Sequence, residues 1–265
     1  MQDPATPLGT TADTARDGDR AISEVIAFIL SFAIVLGAVA LLSATGFQAM
    51  ADFQENEQLT NAERGMTSLA DNFNDVLRYD GVDQRFGELT LRGGTVRTAS
   101  ENTTMEIDTG GTDSKEIELG ALTYEAGSDI IAYEGGGVFR GSGDGSAVVK
   151  QPPLRCTSDS SGSNTAVISI MKIDQDEDRS VQSDSGIGMT ISKTGMERAT
   201  NMSEIDTDPN GDVTITIDPD DTPYEHGWYR ALTRNGWDGD RGSDEYECPD
   251  VDTLELQIVT AELEY

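Results

Sequence analysis

From residue 25 to residue 51 the chain carries no charged side chain. Within that run, residues 25–42 read VIAFILSFAIVLGAVALL, which as a helix is long enough to cross a hydrocarbon layer of about 30 Å. No other stretch of the chain approaches it. A secretory signal core is shorter and closes on a small-residue cleavage site, so the segment reads as a helix retained in the working protein. A chain built around such a helix must place it in lipid or against other apolar helices. That requirement comes before any other feature of the fold.

The flanks set an orientation and a continuation. Residues 1–20 are polar and read as lacking regular structure, with Arg16 and Arg20 ahead of the apolar run and Arg64 the first basic residue after it. By the Lys/Arg bias the N-terminus lies inside and the bulk of the chain outside. Beyond the run, Leu59, Ala62, Met66, Leu69, Phe73 and Val76 recur at 3-4-3-4-3 spacing, an apolar stripe on a helix. No proline lies between Glu24 and Asp80. One helix over residues 23–78 is therefore expected, about 80 Å long at 1.5 Å per residue. It should end in a turn at Tyr79, Asp80 and Gly81. The stripe packs either on the chain's own C-terminal domain, as most such stripes do, or on neighbouring subunits.

Charge narrows the function classes. Of 265 residues, 49 are Asp or Glu and 18 are Lys or Arg, a formal net charge of -31. Nucleic-acid binding needs a basic stripe that displaces counterions, and no such cluster is present, so nucleic acid is excluded as a partner. Fourteen of the 18 basic residues are Arg, and the acidic excess is spread along the whole chain. That pattern reads as a surface built for high salt, where screening removes much of the self-repulsion. Unfolding of the outer domain at low salt is the expectation that follows.

After Asp80 short alternating runs recur between Gly, Asp, Ser and Asn punctuation. Strands are expected at 88–92, 103–108, 116–119, 130–133, 147–150, 166–173, 187–191, 213–217 and 253–265, a pattern of sandwiches or barrels. The last run, LELQIVTAELEY, should sit inside its sheet. A helix is expected at 224–235, with Trp228, Tyr229 and Leu232 on one face. The expected fold class is therefore α+β: a long N-terminal helix, transmembrane then amphipathic, followed by a β-rich, sandwich-like domain.

Site chemistry is sparse. The chain lacks G-x-S-x-G, P-loop, H-E-x-x-H and C-x-x-C patterns, and its one histidine, His226, stands beside Glu225 without a nucleophile partner. No catalytic residue and no cofactor is assigned, and an enzyme is not expected. Asp206, Asp208, Asn210 and Gly211 match the first half of a calcium loop, but Ile217 stands where the bidentate Glu belongs. Asp174, Asp176 and Asp178 also alternate, with Arg179 in the glycine position; both runs read as solvated turns. Cys156 and Cys248 are either one disulfide closing a long loop in an extracytoplasmic domain or two buried thiols. Asn102-Thr103-Thr104 and Asn201-Met202-Ser203 are N-glycosylation sequons.

The residues Asp19-Arg20-Ala21-Ile22-Ser23-Glu24-Val25-Ile26, a basic and then a small residue before a long apolar helix, resemble the class III signal sequence of archaeal type IV pilins and archaellins. Residues 131–153 and the Gly186-Ile187-Gly188 segment also look like an uncharacterised haloarchaeal pilin-like group. The resemblance implies cleavage between Ala21 and Ile22 by a prepilin-type membrane peptidase, with Arg20 the basic residue at the cut. The implied organisation is a leader over 1–21 and a helix over 22–79, of which 22–47 forms the membrane or filament core and 48–79 is amphipathic. An extracellular β-rich domain follows over 80–265. Many haloarchaeal pilins carry Ser-Pro after the cut, where this chain has Ser23-Glu24. Glu24 neutralises a neighbour's amine in a filament or rests at the membrane interface.

The expected function is thus a pilin-like cell-surface subunit that takes part in filament assembly or adhesion. Its expected partners are the membrane, itself or other pilin-like subunits, and the peptidase. The alternative is a single-span surface protein that never polymerises and uses its β domain as a binding module. A membrane-tethered hydrolase is the third reading.

Overall fold

The computed structural model describes residues 14–90, 93–99, 103–110, 114–143, 145–158, 160, 163–175, 178–183, 185–199, 211–218 and 222–265. Helix α1 spans Thr14–Arg78. It starts nine residues ahead of the expected Ser23, so the second part of the polar leader is helical rather than irregular. The reason is cooperativity. Once the apolar segment has nucleated a helix, each added residue gains a backbone hydrogen bond at little cost, and no proline stands between residue 8 and the helix. At the other end, the Tyr79 amide donates to the Asp75 carbonyl at 3.0 Å and the Val82 amide to the Tyr79 carbonyl at 3.0 Å, closing the expected turn.

The chain divides into two compact units, Met1–Glu55 and Asn56–Tyr265. In the second, the C-terminal part of α1 is joined by β1 (Gln84–Thr90), β2 (Thr95–Ala99), β3 (Thr104–Asp108), β4 (Lys115–Glu118), β5 (Ala121–Ala126), β6 (Asp129–Glu134), β7 (Gly137–Ser142) and β8 (Gly145–Lys150). The chain continues through β9 (Leu154–Ser158), β10 (Asn164–Ile173), β11 (Arg179–Gln182), β12 (Gly186–Ala199), β13 (Val213–Ile217), α2 (Glu225–Arg234), β14 (Glu245–Cys248) and β15 (Val251–Glu264). Among the described residues these strands form three sheets, ordered β1-β12-β15-β10-β9, β11-β2-β5-β6-β7-β8 and β14-β13-β3-β4. The fold is α+β with sandwich-like sheets.

Two apolar cores share the long central strands. In β10, Met171 and Ile173 enter the core that holds Leu69 and Phe73 of α1, while Ala166, Ile168 and Ile170 enter the core around Trp228 of α2. In β15, Val259, Ala261 and Leu263 join the first core, and Leu254 and Ile258 the second. A strand buried on both faces reads as a near-continuous apolar run, which is why these two were the strongest strands in the sequence. β15 lies inside its sheet, as its composition required, and pairs with β10 in parallel.

Six strands fall outside the expected set: β2, β5, β7, β9, β11 and β14. All six are four to six residues long, too short for period-2 alternation to stand out. β12 is 14 residues, reaching far past the expected 187–191. Its second half is polar and broken by a register shift between Lys193 and Gly195, and β1 pairs only with its first half. β1 begins at Gln84, four residues ahead of the expected 88, and residues 91 and 92 of that expectation lie outside the described residues. The helix expected at 224–235 forms, but Ala231 rather than Tyr229 completes the buried face with Trp228 and Leu232.

Candidate functional site

The feature that sets this molecule apart is one helix with two environments. Over Ser23–Met50, 28 residues of mean hydropathy 2.9, none of the segment is buried within the protein. Phe28 is 70% exposed, Leu42 71% and Phe47 74%. The segment is long and apolar enough to cross a membrane, since about 20 such residues suffice. Its backbone groups are bonded within the helix, so only its side chains need an apolar surrounding.

From Asn56 onward the same helix lies in the second unit. Leu59, Ala62, Met66, Leu69, Phe73 and Val76, the residues of the apolar stripe, are all buried, together with Ala70 and Leu77. They face β1 and β12 through Leu89, Met189 and Ile191, and the β5–β7 sheet through Leu122, Tyr124, Ile131 and Val138. The stripe therefore serves the home core. Gly87 of β1 permits close approach, because a Cβ there would lie 2.3 Å from Leu69 Cδ1. The outward positions Asn61, Arg64, Ser68, Asn72 and Arg78 are polar and exposed.

One polar residue breaks the apolar inner face, and it is locked. Asn74 is buried. Its Nδ2 donates to the Gly136 carbonyl at 2.8 Å, and its Oδ1 accepts from the Tyr133 hydroxyl at 2.9 Å. Gly136 sits in the two-residue turn between β6 and β7, where Gly135 and Gly136 have φ of 59° and 90°. A turn with positive φ at both central positions strongly favours glycine, so the triple-glycine run after Glu134 presents a bare carbonyl to the helix. Burial raises the Tyr133 phenol far above its ordinary range, so it stays a donor. On the other side of this turn the Trp228 indole N–H donates to Glu134 Oε1 at 2.8 Å.

Ion pairs surround this contact. Arg140 donates to Glu63 at 2.9 Å and to Asp129 at 3.1 Å. Burial works against the Arg140 charge, but the hydrogen bonds to Asp129 and Glu63 outweigh it and hold the guanidinium above its ordinary pKa. Lys150 pairs with Asp71, Arg85 with Asp75 at 3.2 Å, Arg198 with Asp80 and Lys193 with Asp83. Five of the chain's 18 basic residues are thus placed against the C-terminal part of α1 and the turn after it. Arg198 holds the Asp80 carboxyl below its ordinary 3.8.

The residues singled out from sequence fall in different places. Arg20, Ala21 and Ile22 lie on helical backbone within α1. Cys156 of β9 and Cys248 of β14 are joined in a disulfide with Cα atoms 5.7 Å apart, tying an edge of one sheet to an edge of another across a separation of 92 residues. By the chain-entropy model such a loop closure contributes about 4–5 kcal/mol. Asn102, Asn201, Asp206, Asp208, Asn210 and Asp176 lie outside the described residues. His226 accepts from Arg241 at 2.7 Å and turns Nδ1 toward Glu225 at 3.5 Å. Among the described residues no three His, Cys, Asp or Glu side chains are grouped to hold a metal ion. A cleft of about 220 Å³ there is lined mainly by Ile107, Leu256, Ile258 and Ala199, with the Lys115–Glu197 ion pair beside it.

A family of unknown function, DUF7289, has a model that matches residues 20–264. The chain belongs to this family. No curated protein and no solved structure matches it. The DUF7289 match takes in the uncovered apolar helix, the buried helix and the whole β-rich unit, and it begins at Arg20. Sequence reading missed the Asn74, Tyr133 and Gly136 contact. Its signal was present as a lone amide within an apolar stripe and a Gly-Gly-Gly turn, two marks more than 60 positions apart that nothing local connects.

Proposed function

We propose that this chain is a pilin-like structural subunit of the cell surface, anchored by α1 and exposing its β-rich unit to the outside. The observation that carries this reading is the change of environment along one unbroken helix. The Ser23–Met50 segment has no cover within the chain, while the continuation is built into the outer unit by a packed core and ion pairs. In the precursor lipid covers the first segment; in an assembly the apolar helices of other subunits replace lipid. The start of the family match at Arg20 supports cleavage between Ala21 and Ile22, since the residues before it lie outside the shared unit. The Cys156–Cys248 disulfide supports an oxidising compartment for the β-rich unit.

The deciding experiment is the N-terminus and intact mass of the protein recovered from its native cell surface. A chain that starts at Ile22 is expected, and Arg20→Ala is expected to leave the precursor uncut. Normal processing of that variant, or a native chain still carrying residues 1–21, overturns the pilin-like reading and leaves a single-span anchor with a β binding module.

A further inference from the structure

The solvent face of α2 carries Arg230 and Arg234 one turn apart in a chain of net charge -31. His226, Arg230 and Arg234 stand at successive i, i+4 positions, which stack along one ridge of a helix. The opposite face, Gly227, Trp228, Ala231 and Leu232, is buried, so the ridge faces outward. Arg230 and Arg234 are exposed, and Arg241 folds back onto His226 to extend the row. Glu225 is the acid that meets it, through the His226 ring.

What marks the ridge is two arginines one helical turn apart that make no ion pair among the described residues, whereas Arg64, Arg78, Arg155, Arg179 and Lys172, also without one, stand singly along the chain. Arg85, Arg97, Arg140, Arg198, Lys115, Lys150 and Lys193 each lie against a carboxylate. The ion pairs among the described residues include neither Arg230 nor Arg234. The helix neighbours of Arg230 are His226, Gly227, Thr233 and Arg234, so no acid stands where an i, i+3 or i, i+4 pair would form. Two arginines at that spacing repel each other along the helix, and an external carboxylate offsets that repulsion.

We propose that this ridge is a docking surface for the carboxylates of a second copy of the chain, a reading that rests on the assembly proposed above. Charge complementarity selects the occupant. Two copies at -31 repel over most of their surfaces, and the α2 row is a place where an acidic face of a neighbour meets opposite charge. Arginine suits the task, because its planar fork grips a carboxylate through two parallel hydrogen bonds. Such direct contacts persist at salt concentrations that screen long-range attraction. A basic ridge meeting a different, acidic patch is a head-to-tail contact, which repeats into an open polymer when the rotation does not close.

The test uses the full chain in detergent micelles, where the apolar helix is covered and association reports on the outer unit. Sedimentation equilibrium is compared for the parent, R230E/R234E and R230K/R234K, with circular dichroism to establish that each folds. The expected result is self-association of the parent, weakened at least about tenfold by charge reversal and less by the lysine pair. Unchanged association of R230E/R234E, or a parent that stays monomeric in micelles, overturns the proposal. So does loss of binding to vesicles of equal parts phosphatidylglycerol and phosphatidylcholine in R230E/R234E while self-association stays intact, which assigns the ridge to lipid headgroups. The pilin-like reading fails separately, on the native N-terminus.

Discussion

The two parts of α1 have similar apolar content in their inner residues and opposite fates. Phe32 is 56% exposed and Phe73 is fully buried, on the same helix. The difference lies in how apolar residues are distributed. Around residues 25–42 they occupy every face, so no single sheet can cover them. Around residues 59–77 they occupy one face, and polar residues take the other. An all-round apolar helix needs a surrounding medium, whereas a one-sided helix needs only a partner surface. The protein uses both on one element, which links whatever holds the first part to the rigid β-rich unit.

The strongest way to break this comparison is to separate the parts. A chain beginning at Asn56 is expected to lose membrane retention completely and to keep the melting temperature of its β-rich unit, read by fractionation and calorimetry. A melting temperature that collapses would mean that the first part also supports the fold. Next come paired substitutions. Phe73→Ala should destabilise the outer unit by about 3–5 kcal/mol, while Phe32→Ala should leave denaturant unfolding unchanged; equal effects would erase the distinction. Asn74→Ala leaves the Gly136 carbonyl and Tyr133 hydroxyl without partners in the interior and should cost about 1–3 kcal/mol. Asn74→Asp should not restore it, since an acceptor cannot donate to the carbonyl.

The smallest expected effect is electrostatic. The Arg198 contact lowers the Asp80 carboxyl below 3.8. Its stabilising contribution is therefore complete above that ordinary value and is lost as pH falls through the lowered folded value. Asp80→Asn should lower stability slightly at neutral pH and converge on the parent below about pH 4, so that its acid limb is flatter. Identical acid limbs in the two proteins would remove Asp80 from the account.

Much of the molecule was legible in its residues. The uncharged run at 25–51, the stripe from Leu59 to Val76 and the double-faced runs of β10 and β15 follow from local pattern, because one-sided burial imposes a repeat on the chain and all-round burial an unbroken apolar run. The short strands β2, β7 and β14 were not legible, since four to six residues with Gly, Ser, Glu or Arg among them carry too little pattern. The α2 ridge was in plain view as His226, Arg230 and Arg234, but that Arg230 and Arg234 make no ion pair among the described residues is a property of space.

By itself, then, the sequence determined the course of both helices apart from the start of α1 at Thr14, which face of the second helix part is apolar, and that the first part calls for apolar cover. Only the tertiary structure decided what covers the stripe, which strands flank β15, that Cys156 meets Cys248, and that Asn74 answers a glycine carbonyl 62 positions away. Periodicity is a short-range record of burial. Pairing between distant residues leaves no such record, because any apolar face or any amide fits many partners until the whole chain packs at once.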